Sequence, residues 1–158
     1  MTSPQPILAG DYLYPDLVNT PSWTTFTPSW TASVTNPVIA NGTLTGAWRY
    51  LDTRSVMVWF VIRPGSSTTF GSGGYRVSLP VPALAGGPDP LLQGAALMGS
   101  ALYRFVGWTN TSTGSSGPLV NIYRDNASGE NAVGWTPTTP VTFASGHTFS
   151  MSGIYTVA

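Results

Sequence analysis

Gly42 to Pro82 reads GTLTGAWRYLDTRSVMVWFVIRPGSSTTFGSGGYRVSLPVP, and it decides the fold. Leu44, Gly46, Trp48 and Tyr50 alternate with Thr43, Thr45, Ala47 and Arg49. That period of two is the mark of a half-buried strand. Val56 to Ile62 is apolar at every position and rich in β-branched and aromatic residues. It reads as a central strand covered on both faces, with Trp48 and Trp59 in the core. A polar corner at Asp52-Thr53 joins the two strands. After a Ser/Thr/Gly loop, Tyr75, Val77, Leu79 and Val81 alternate with Arg76, Ser78 and Pro80 in a third.

Composition agrees with this reading. Only 8% of the 158 residues are charged, against about 25% in an ordinary globular chain. Lysine is absent and Glu130 is the only glutamate, so little material exists for solvent-facing helices. Eighteen glycines and fourteen prolines supply turns. The net charge is zero and the six arginines are scattered, which leaves no electrostatic footprint for nucleic acid or an anionic membrane. No cysteine is available for a disulfide or a thiolate metal site. The first residues lack the basic and apolar regions of a secretory signal, and no apolar run has the length of a membrane span.

Outward from the central stretch, Ser22 to Thr31 reads as one strand, placed at an edge or bulged by Pro28. Gln93 to Trp108 reads as one long strand, bulged at Gly99. Leu119 to Arg124, Ala132 to Trp135, Val141 to Ala144 and Thr148 to Val157 complete the set. Eight or nine strands at this spacing predict an all-β, antiparallel, jelly-roll-like sandwich. The domain spans 23–158 and is preceded by an extended arm, 1–22. Prolines 4, 6 and 15 keep the arm out of a central strand, while Ile7, Leu8, Tyr12, Leu13, Tyr14 and Leu17 stud it with apolar anchors. Such an arm either grips a partner or tucks onto its own domain.

Catalytic chemistry finds little support. His147 is the lone histidine and follows Ser-Gly at a turn, with no Ser/His/Asp order to mark a nucleophile and base. Asp11, Asp16, Asp52, Asp89, Asp125 and Glu130 all suit solvated arm or turn positions. Asp125, Asn126 and Glu130 lack the spacing of a calcium loop. The sequons at Asn41, Asn110 and Asn126 are expected by chance in so Asn/Ser/Thr-rich a chain. No catalytic, cofactor or metal residues are therefore assigned, and no enzyme is expected. Six tryptophans are many for this length. Trp108 and Trp135 adjoin loops and are the candidates for exposure and glycan contact.

Four blocks carry a family resemblance: TTFTPSWT at Thr24 to Thr31, ANGTLTG at Ala40 to Gly46, TTFGSGGYRVSLP at Thr68 to Pro80 and SGHTFSMSGIY at Ser145 to Tyr155. Together they resemble a β-sandwich module of tailed-bacteriophage virion proteins, namely minor tail, tail-fibre and capsid-decoration proteins of actinobacterial phages. LAGDYLYPDLVN at Leu8 to Asn19 resembles the attachment segment before such modules. The resemblance implies a structural role, often as a homotrimer, with major capsid or tail proteins as partners. The chain would be assembled into the virion in the host cytoplasm. Only some twenty residues stand where a fibre would have its shaft, which favours a capsid decoration protein docked by its arm. The alternative is a tail-tip or tail-fibre adhesion module binding host cell-wall glycan through Trp108 and Trp135.

Overall fold

The structure is a computed structural model that describes residues 22–109, 119–124 and 132–158. The arm residues Ile7, Leu8, Tyr12, Leu13, Tyr14 and Leu17 lie outside the described residues, as do Asp11, Asp16, Asp125 and Glu130. Ten strands form among the described residues, and no helix. They are β1 (Thr24–Phe26), β2 (Trp30–Ala32), β3 (Thr43–Tyr50), β4 (Ser55–Arg63), β5 (Tyr75–Ser78), β6 (Leu91–Met98), β7 (Ala101–Trp108), β8 (Leu119–Arg124), β9 (Val133–Gly134) and β10 (Thr148–Thr156).

The fold is all-β and antiparallel, as expected. Its layers are the two halves of one curled sheet, ordered β1-β3-β4-β10-β6-β7-β8-β5-β2, with β9 added to β8. The curl follows from chain connectivity. β1 and β2 stand at opposite ends of that order, yet only Thr27, Pro28 and Ser29 separate them. Such a link spans at most about 14 Å, so the sheet's edges must approach each other. The stretch predicted as one strand is thus two, parted at Pro28, which removes a ladder donor where the chain changes edge. The crossing is tied to β5: the Ser78 amide donates to the Ser29 carbonyl at 2.9 Å, and the Ser29 amide donates to Ser78 Oγ at 2.7 Å.

One face of the curl holds the core. Val56, Val58, Phe60 and Ile62 of β4, with Phe149 and Met151 beside them on β10, pack in one core with Tyr75 and Val77 of β5 and Val120 and Ile122 of β8, all buried. Trp30 of β2 and Ile62 of β4, on the ninth and third strands of the order, line the same small gap together with Phe143.

Three further expectations are corrected. Gln93 to Trp108 is a hairpin, not one strand: Met98 pairs with Ala101 across a two-residue turn whose Gly99 has φ 63°. Glycine takes that left-handed conformation without a Cβ clash. Val141 to Ala144 forms no strand, and its Phe143 instead drops into the core. Among the described residues β4 is covered on one face only, so Trp59 points outward and is 38% exposed; Trp48, partly buried, does pack against the core.

Candidate functional site

The outer face of the sheet follows from the register. Buried positions of β10 are odd-numbered (Phe149, Met151, Tyr155), so Ser150, Ser152 and Ile154 point outward. Their partners on β4 are Val61, Trp59 and Met57. On β6, Ala95 and Gln93 stand opposite Ser150 and Ser152, and Leu91 follows two residues on. Across the next ladder, Arg104 faces Ala95, Val106 faces Gln93 and Trp108 faces Leu91.

These pairings set out rows of distinct chemistry. Met57, Ile154, Leu91 and Trp108 form an apolar row over four adjacent strands, with Ile154 55% and Leu91 56% exposed. A second apolar pair, Leu97 and Leu102, lies near the β6–β7 turn. Between the two runs a polar trough. β10 and β6 offer only small or unbranched side chains here (Ser150, Ser152, Ala95, Gln93), and β7 raises Leu102 and Arg104 along one side, while Trp59 and Val61 of β4 are the cross-strand neighbours of Ser152 and Ser150 on the other. The resulting open groove has a volume of about 560 Å³, within the usual size of small-molecule sites.

Donors and acceptors are plentiful in it. Ser150 Oγ donates to the Ala95 carbonyl at 3.3 Å, and the same oxygen can still accept. Arg104 borders the groove and makes no ion pair or hydrogen bond among the described residues. Trp59 stands directly opposite Ser152 on the neighbouring strand.

The candidates named from sequence are placed differently. Trp135 is fully buried, which corrects its expected exposure. Its amide donates to the Ile122 carbonyl and its carbonyl accepts from the Tyr75 amide, both at 2.8 Å. Backbone pairing between β8 and β5 thus directs the indole into the core, edge-on to Phe105 and Phe149. Trp108 is half-buried and meets Tyr123 edge-on at 6.4 Å. The structure does not bring the two tryptophans together into one exposed platform. His147 closes a turn, its Nδ1 accepting from the Ala144 amide at 3.2 Å. Asp52 Oδ1 accepts from the Arg54 and Ser55 amides, both at 2.7 Å, and the Arg54 amide together with the Ser55 hydroxyl and amide lowers its carboxyl below the usual carboxylate value. Among the described residues no three His, Cys, Asp or Glu side chains gather as metal ligands.

Sequence reasoning missed Trp59, Gln93, Arg104, Ser150 and Ser152. The signal within reach was the run of small hydroxyls at even positions of Thr148 to Ser152. Comparison with known proteins finds no match to a protein-family model, a curated protein or a solved structure.

Proposed function

We propose that the chain is a structural protein of a tailed-phage virion: a homotrimeric capsid decoration or accessory protein whose arm docks it on the particle. The observation that carries the reading is the outer apolar row of Met57, Ile154, Leu91 and Trp108. An outward apolar row, exposed at Ile154 and Leu91 and half-buried at Met57 and Trp108, on a chain with so few charges is a surface for association. A closed trimer would cover it and would suit three-fold points of a shell. The quoted sequence blocks also meet in space, since Trp30 and Val77, from two of them, are cross-strand partners. Three arms acting together hold more tightly than one.

The test is electron microscopy of particles of the encoding phage, made with the full chain, with residues 1–20 deleted, and without the gene. The expected result is ordered extra density on the shell with the full chain, and none in the other two samples. Identical particles in all three samples would overturn the reading, as would density that survives the deletion.

A further inference from the structure

We propose that the trough between β10 and β6 is a saccharide-binding site, with one pyranose ring stacked on Trp59 and the glycan running over Ser152, Gln93 and Ser150 toward Arg104. Three features of the trough select this chemistry. Its floor lies mid-sheet, where β10 is laddered on both sides, so no backbone edge is free to add a peptide strand. Recognition must therefore come from side chains. Those on offer are hydroxyls, an amide and a guanidinium, with aliphatic contact from Leu102. The outward-facing indole of Trp59 stands one strand away, opposite the lining residue Ser152. A pyranose presents a C–H face that packs on an indole, and equatorial hydroxyls that exchange hydrogen bonds with Ser, Gln and Arg.

The dimensions agree. From β4 to β7 are three strand spacings, about 14 Å, which is the length of a short oligosaccharide. Nucleic acid is disfavoured, because Arg104 alone cannot track a phosphate backbone. The guanidinium suits vicinal hydroxyls and suits a sugar carboxylate better, through a bidentate pair. This site uses other residues than the apolar row, and its test reads glycan binding and not assembly, so the two readings can fail separately.

The test titrates the full chain, labelled with nitrogen-15, with cellohexaose, chitohexaose and hexagalacturonate at up to millimolar concentration. The expected result is saturable binding of at least one, with movement of the Trp59 indole N–H signal. Affinity should fall at least about tenfold in Trp59→Ala and in Arg104→Ala. Trp23→Ala removes an indole of similar exposure beyond β3 and should leave binding unchanged. Preference for hexagalacturonate assigns Arg104 to a carboxylate, and preference for a neutral glycan assigns it to hydroxyls. Should Trp59→Ala fail to fold, Ser152→Leu fills the trough from a solvent-facing position and replaces it. No saturable binding by any of the three glycans, or binding that survives Arg104→Ala together with Trp59→Ala or Ser152→Leu, overturns the site.

Discussion

Phe105 lies flat on Phe149, ring centroids 4.0 Å apart and planes 16° from parallel, on two strands that are not neighbours. β6 runs between β7 and β10, and Gly94 is what lets the rings meet over it. A Cβ at position 94 would overlap the Phe105 ring. Gly94→Ala should therefore destabilise the fold by about 1–3 kcal/mol through overpacking. Urea unfolding followed by tryptophan fluorescence reads this directly, and a neutral substitution would mean that the stack is misplaced.

Trp135 should behave as a core residue although it sits among turns. It is fully buried and packs against Tyr103, Phe105, Phe143 and Phe149. Trp135→Ala should cost about 3–5 kcal/mol. Trp59→Ala, on the outer face, should cost much less. Thermal unfolding of the two variants gives the order, and a reversed order would contradict the assignment of inner and outer faces.

Alkaline pH offers a clean probe because lysine and cysteine are absent. Burial raises the phenols of Tyr75 and Tyr155 above the ordinary tyrosine value. Each donates to a carbonyl, Tyr75 to Phe70 at 2.9 Å and Tyr155 to Val81 at 2.8 Å. The unfolded chain ionises these groups near pH 10 while the folded chain keeps its protons, so their contribution is complete below about pH 10 and is lost above it. Stability should fall as pH rises past that point. Absorbance at the tyrosinate band should show these two residues ionising late, together with unfolding. Early, reversible ionisation of all tyrosines in the folded protein would contradict this.

Asp52 has the opposite sign. The Arg54 amide first, then the Ser55 hydroxyl and amide, hold its carboxyl below 3.8, the ordinary value. Its contribution to the β3–β4 corner is therefore present above that value and lost as pH falls through the lower folded one. Asp52→Ala should lower stability modestly at neutral pH, and the difference from the parent should close in acid. Denaturation at neutral and at strongly acidic pH measures both, and a difference that does not change with pH would remove the carboxylate from the account.

Local pattern made much of this legible. Alternation at Leu44, Trp48 and Tyr50 names the inward face of β3, and the runs of β4, β5 and β10 are plain from their residues. What escaped depends on distant contacts. VMVWFVI is apolar whether one or both of its faces are covered, so Trp59 reads as core although no second layer covers its outer side among the described residues. Trp135 adjoins turns, yet pairing with Ile122 and Tyr75 turns it inward. Gly99 reads as a bulge, while its left-handed backbone makes a hairpin. The trough exists because β10, last in sequence, inserts between β4 and β6. No local spacing announces that β10 lies between those two strands, so the site's residues could not be grouped beforehand.

Association through the outer apolar row is tested most directly by the mass of the protein in solution. Sedimentation equilibrium of the full chain should give three times the 16.6 kDa chain mass. Ile154→Arg and Leu91→Arg, each at an exposed position, should give folded monomers. A parent chain that sediments as a monomer at the same concentration would contradict the account, as would a trimer indifferent to both arginines.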